Sequence, residues 1–118
     1  MNAPDPVIQY FPQGSLPLKT DIPGASFWAV ALRHAMLTYF EVAPGVHFPH
    51  HHHPSEQITL VLEGILVFSL ADREVSVQAG EVIAIPGEVP HAVTAGPDGA
   101  KAVDAWSPVR TDYETSST

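Results

Sequence analysis

His51, His53, Gln57 and His91 are the residues of this chain best equipped for chemistry. Three neutral imidazole nitrogens and one amide oxygen make a donor set for a divalent transition metal. The first three lie between Gly45 and Gly64, and the fourth closes the segment that begins at Gly80. Both segments consist of short apolar runs broken by Gly and Pro. The four donors act together only if those runs fold onto one another.

His50 to His53 are four consecutive histidines, internal and bracketed by Pro49 and Pro54, which argues against an appended tag. In an extended segment alternate side chains share a face. His51 and His53 therefore point one way, and His50 and His52 the other. Two registers compete: His51, His53 and Gln57, or His50, His52 and Glu56 at the same spacing. Glu56 is the more usual ligand, because a carboxylate offsets metal charge. The flanking glycines favour the first register: five residues separate Gly45 from His51, and six separate Gln57 from Gly64. Glu56 then faces outward.

The elements that must position these residues are strands. Twelve prolines and eight glycines in 118 residues leave no room for long helices. Strands are predicted at Val7–Phe11, Trp28–Leu32, Met36–Val42, Gln57–Leu62, Ile65–Leu70, Glu74–Val77, Val82–Ile85, His91–Ala95 and Ala102–Trp106. Ala71 to Arg73 reads as a hairpin turn. Ile65–Phe68 and Val82–Ile85 are nearly continuous apolar runs, which predicts strands covered on both faces. Phe27, Trp28, Met36, Tyr39, Phe40 and Phe68 are expected to be packing residues, and His34 a turn residue beside Arg33. The whole is an all-β chain, an antiparallel sandwich or jelly-roll barrel, in one domain over residues 1–118. Loose ends are expected at about 1–6 and 111–118.

Composition removes several function classes. The formal net charge is −8, with Lys19, Arg33, Arg73, Lys101 and Arg110 as the only fixed cations. Nucleic acid and anionic membrane surfaces are therefore not expected partners; a small-molecule substrate is. The absence of cysteine removes disulfides and thiolate metal sites. The first residues, MNAPDPVIQY, carry no secretory pattern, and no apolar run has spanning length, so the expected location is cytoplasmic.

With these residues in view, the chain resembles the cupin superfamily. Gly45, His51, His53, Gln57 and Gly64 follow the first cupin motif, G-x5-H-x-H-x3,4-E-x6-G, with Gln57 in place of Glu. Gly80, Pro86 and His91 follow the second, G-x5-P-x-G-x2-H-x3-N, with Glu88 at the motif glycine and Ala95 at the Asn. The resemblance implies a double-stranded β-helix, or jelly roll, around one divalent ion (Ni, Zn, Fe, Mn, Co or Cu). A shell of three His and one Gln leaves that ion nearer plus two than the usual His3Glu shell does. The ion is then a stronger Lewis acid.

The segment Asp104-Ala105-Trp106-Ser107-Pro108-Val109-Arg110-Thr111-Asp112-Tyr113 is the second informative stretch. Asp104 interrupts an apolar strand, where a carboxylate is costly unless it is paired or has a task. It either faces the interior with Trp106, or faces solvent or pairs with Arg33 or Arg110. The stretch is similar to the D-x-F-x-P-x-R-x-D-Y ending of KdgF-type cupins, with Trp106 at the aromatic position. That resemblance implies ring opening of an unsaturated uronate, with Asp104 in proton transfer, Trp106 as a substrate wall and Arg110 as a carboxylate partner. Two other readings are an Fe- or Mn-dependent dioxygenase and a non-enzymatic ligand-binding barrel. A homodimer is expected, with the apolar Val7–Phe11 segment covering a neighbour's sheet edge.

Overall fold

A computed structural model describes residues 7–114. Eight strands and one short helix follow in order: β1 (Lys19–Ile22), β2 (Ala25–Ala31), β3 (Met36–Val42), β4 (His47–His51), β5 (Glu56–Ser69), β6 (Glu74–Gln78), β7 (Val82–Ile85), β8 (His91–Ser107) and α1 (Thr111–Glu114). Every pairing is antiparallel. The main path runs β1-β2-β3-β8-β5-β6, with β4 on β8 and β7 on β5. The result is an all-β, jelly-roll type of barrel. Among the described residues no helix is long and apolar enough to cross a membrane.

Two long strands organise the whole. Alternation puts Gln57, Thr59 and Val61 of β5 inward, then Leu66 and Phe68. The inward set changes from odd to even numbers because the ladder between β5 and β8 shifts at Val61/Glu63 and again at Gly64/Leu66. Gly64 sits at φ 75°, and a Cβ there would collide with the Gly99 carbonyl. Only glycine meets both conditions. The far half of β8 turns Ala100, Ala102, Asp104 and Trp106 inward. In the core, Phe27, Phe40, Val61, Leu66, Phe68, Val77, Ile85 and Ala102 pack as one cluster.

The structure departs from the sequence reading at several points. Val7–Phe11 forms no strand; Ile8 is 97% exposed, and the first strand is Lys19–Ile22 instead. An apolar run specifies a strand only where a sheet edge and a core receive it, and here β1 already occupies that edge. The paired predictions Gln57–Leu62 and Ile65–Leu70 are one strand, and so are His91–Ala95 and Ala102–Trp106. In each case a bulge carries the ladder through glycine. Val82–Ile85 is covered on one face only: Val82 and Ala84 are exposed, and Ile85 is buried. Apolar composition there reflects β-propensity rather than two-sided burial. The tail is not loose from Thr111, because α1 brings Tyr113 against Phe27, Phe40 and Trp106. The expected loose residues 1–6 and 115–118 lie outside the described residues. The Ala71–Arg73 turn forms as expected, closed by Leu70 N–H donating to the Arg73 carbonyl at 2.8 Å.

Candidate metal centre

Strand pairing brings the histidines together. His51 ends β4 directly opposite His91, the first residue of β8. The ring centroids are 4.4 Å apart for His51 and His91, 5.1 Å for His53 and His91, and 5.6 Å for His51 and His53. One nitrogen from each ring lies within 4.8 Å of the others. His53 and His91 are buried and His51 is half-buried, while His50, His52 and Glu56 are exposed. The inward register is therefore His51, His53 and Gln57.

The rings are held in one tautomer. A carbonyl oxygen can only accept, so each Nδ1 bonded to one carries a proton. His51 donates to the Pro49 carbonyl, His53 to Ser55 and His91 to Val89, each at 2.9 Å. Every Nε2 is left as a lone-pair donor. Nε2 of His53 and of His91 is buried with no hydrogen-bond partner, and so is Oε1 of Gln57. Buried polar atoms rarely stay unpaired without a reason. Three such atoms, all electron-pair donors, beside imidazole nitrogens that lie within 4.8 Å of one another, fit a cation. Burial also holds the His53 and His91 imidazoles below the usual histidine value, which favours the neutral ligating form.

Gln57 and Asp104 belong to one buried network. Gln57 Nε2 donates to Thr59 Oγ1 at 2.9 Å and to Asp104 Oδ1 at 3.4 Å. Thr59 donates through a short hydrogen bond to Asp104 Oδ1, and Thr38 to Oδ2 at 3.3 Å. Trp106 Nε1 donates to Thr38 Oγ1 at 2.8 Å. The ladder explains the cluster: Thr38 and Thr59 flank Asp104 from either side in β3 and β5. Asp104 faces the interior; it neither faces solvent nor bonds Arg33 or Arg110. Burial pushes its carboxyl up to about 6 against the pull of these donors.

A cavity of about 110 Å³ opens beside the cluster. His51, His91, Gln57, Asp104, Trp106, Arg110 and Tyr113 line one part, and Ile22, Phe40, Val42, Phe48, Leu66, Phe68, Val93 and Ala102 line the rest. Arg110 is its only Lys or Arg among the described residues. Its guanidinium lies 5.0 Å from the Trp106 ring centre and 4.3 Å from that of Tyr113. It also forks onto Asp112 at 3.2 and 2.8 Å and donates to the Tyr113 hydroxyl at 3.2 Å.

Thr38, Thr59 and Tyr113 escaped the sequence reading. Thr59 is two residues beyond Gln57, and Thr38 is two residues from inward Met36 and Phe40, so strand parity marked both as polar side chains aimed into the core. Tyr113 carried no such signal beyond its place in the resemblance.

Comparison places these features in a family. A cupin-domain family model matches residues 38–106. KdgF from Halomonas sp. superposes with a TM-score of 0.82 at 21% identity, over 90% of this chain and 98% of that one. An RmlC-like cupin from Shewanella frigidimarina gives 0.81 at 21% identity, over 90% and 96%. An oxalate decarboxylase of B. subtilis gives 0.77 at 15% identity, over 92% of this chain and 32% of that one. No curated protein sequence matches significantly. The family model spans more than half of the chain, both motif segments and the converging imidazoles included, and the protein belongs to the cupin family.

Proposed function

We propose that this cupin is a metal-dependent lyase or isomerase that opens the ring of a small unsaturated uronate. Asp104 carries the reading. It is a buried carboxylate lining the same cavity as His51, His91 and Gln57, with its pKa raised to about 6. A group poised near neutrality is suited to take a proton and return it.

His51, His53, His91 through Nε2 and Gln57 through Oε1 would hold one divalent ion. Bound there, the ion supplies Lewis-acid polarisation of a ligand oxygen. Ring opening of a 4,5-unsaturated uronate is an isomerisation. The C1 hydroxyl loses its proton, the C1–O5 bond breaks, and O5 becomes an enol oxygen. C4 then gains a proton as the enol becomes a ketone, so neither water nor an oxidant is consumed. Asp104 takes the hydroxyl proton and delivers one to C4. Its Oδ2 accepts only from Thr38 at 3.3 Å, whereas Oδ1 is engaged by Thr59 and Gln57, so Oδ2 is the freer oxygen. Trp106 is fixed through its indole N–H, which leaves its ring as a wall. Arg110 offers the cavity's cation to the uronate carboxylate.

The same reading places the protein in the cytoplasm as a homodimer. The exposed Val7, Ile8 and Tyr10 support the second point, as an apolar arm that a partner would cover.

The test is turnover of a 4,5-unsaturated galacturonate, followed by loss of its ultraviolet absorbance, with metal content measured in parallel. Wild type should turn over without consuming oxygen. Asp104→Asn should lose roughly 10²–10⁴-fold in rate, the usual scale for a general acid–base, with metal content unchanged. Full activity in that variant removes Asp104 from the chemistry. Oxygen uptake would replace the isomerase reading with the dioxygenase one.

A further inference from the structure

We propose that Thr59 is a positioning residue that fixes which end of the Gln57 carboxamide faces the three imidazoles; this rests on the metal site proposed above. A carboxamide has one end that can bind a cation and one that cannot. A half-turn about the last side-chain torsion exchanges them. A glutamate at the same position would present an oxygen either way. Gln57 therefore needs something that a carboxylate ligand does not: a neighbour that tells its nitrogen from its oxygen.

Thr59 meets that requirement through the direction of its own proton. Its hydroxyl donates to Asp104 Oδ1, so toward Gln57 it presents only lone pairs. Gln57 Nε2 lies 2.9 Å from that oxygen, and 3.4 Å from the carboxylate that receives the threonine's proton. Turning the amide over would set Oε1 against two acceptors. The site is enclosed, with Thr59 1% exposed and Gln57 6% exposed, so solvent does not relieve that clash. Trp106 and Thr38 feed the same carboxylate from its other side, through Nε1 to Oγ1 and Oγ1 to Oδ2. All the hydrogen bonds of the network run toward Asp104. That leaves Oε1 as the buried end with no hydrogen-bond partner.

The experiment is a double-mutant cycle read as Zn²⁺ affinity by competition with a chromophoric chelator. Thr59→Val keeps the shape and removes the hydroxyl. It should weaken Zn²⁺ binding about 10-fold when residue 57 is Gln, the scale for lost outer hydrogen bonds at metal sites. In a Gln57→Glu background the same change should cost less than it does beside Gln57, because a carboxylate has no wrong end to be turned inward. Thr59→Ser should bind as wild type does. Equal losses in both backgrounds, or none beside Gln57, overturn the positioning role while leaving the metal site standing. A wild-type protein that binds no Zn²⁺ overturns both. A second readout needs no variant of Thr59. In metal-free wild type the Gln57 side-chain amide protons, assigned by their loss in Gln57→Glu, should resist solvent exchange. Exchange as fast as that of a free carboxamide would also sink the assignment.

Discussion

His51 and His91 face each other across the β4–β8 ladder, and each donates Nδ1 to the carbonyl two residues before it, Pro49 and Val89. His53 uses the carbonyl two residues after it, Ser55. Every anchoring carbonyl belongs to a proline or to a residue beside one, namely Pro49, Pro54 or Pro90. Proline fixes its own φ and restricts the residue before it, which narrows the backbone freedom around these carbonyls. The rings are aimed by backbone carbonyls and not by packing alone.

The first prediction separates the two histidine faces. Purified without an affinity metal column, the protein should carry one equivalent of a divalent ion by elemental analysis. His51→Ala and His91→Ala should each weaken binding by more than roughly 100-fold, beyond the cost of a lost outer hydrogen bond. His50→Ala and His52→Ala should bind as wild type does, since both rings are exposed. Loss of metal in the second pair with retention in the first would reverse the register.

A second prediction concerns Glu88. It has φ 64° at the position where the motif has glycine. A non-glycine residue there costs about 1–2 kcal/mol. Its carboxylate meets His52 Nδ1 at 3.2 Å, but both side chains are about two-thirds exposed. Such a pair contributes roughly 0–1 kcal/mol. Relief of strain outweighs the lost pair, so Glu88→Gly should stabilise the metal-free protein by about 0.5–1 kcal/mol in urea unfolding. Glu88 N–H also donates to the His53 carbonyl at 2.7 Å, which the substitution keeps. A net loss of stability would show that the His52 contact matters more than its exposure suggests.

The third prediction is alkaline. Burial pushes the Tyr113 phenol up to about 12, and burial with the Glu41 carboxylate does the same to Tyr39. A group whose pKa is higher in the folded state contributes stability in full below its unfolded value. That contribution is lost as pH rises toward the folded value. Urea midpoints should therefore fall between about pH 10 and 12. Tyr113→Phe should flatten that fall. An unchanged slope in the variant would mean that Tyr113 ionises as freely in the folded protein as in the unfolded chain.

Much of the site was legible because its determinants are local. Spacing from glycine and the alternation of an extended chain separated His51 and His53 from His50 and His52. Parity likewise paired Asp104 with Trp106. What stayed hidden depends on which strands become neighbours. Nothing within the chain segment around Asp104 says that Thr38 and Thr59 will flank it, because that contact is created by β3 and β5 pairing on either side of β8. The long strands were divided for a related reason: a glycine that ends one run and a glycine inside a bulge look alike until the partner strand is known. Val7–Phe11 misled in the opposite direction, since its apolar residues pair with no strand and stay exposed.

One uninterrupted ribbon, residues 91 to 107, begins at an imidazole of the cluster and ends just past the carboxylate and indole. Beyond Gly99 it alternates strictly, with Ala100, Ala102, Asp104 and Trp106 inward. Adding one residue between Ala100 and Val103 would exchange the two faces. Asp104 and Trp106 would turn to solvent, and Val103 and Ala105 would fill the chamber. That span of the protein accepts replacement but not resizing.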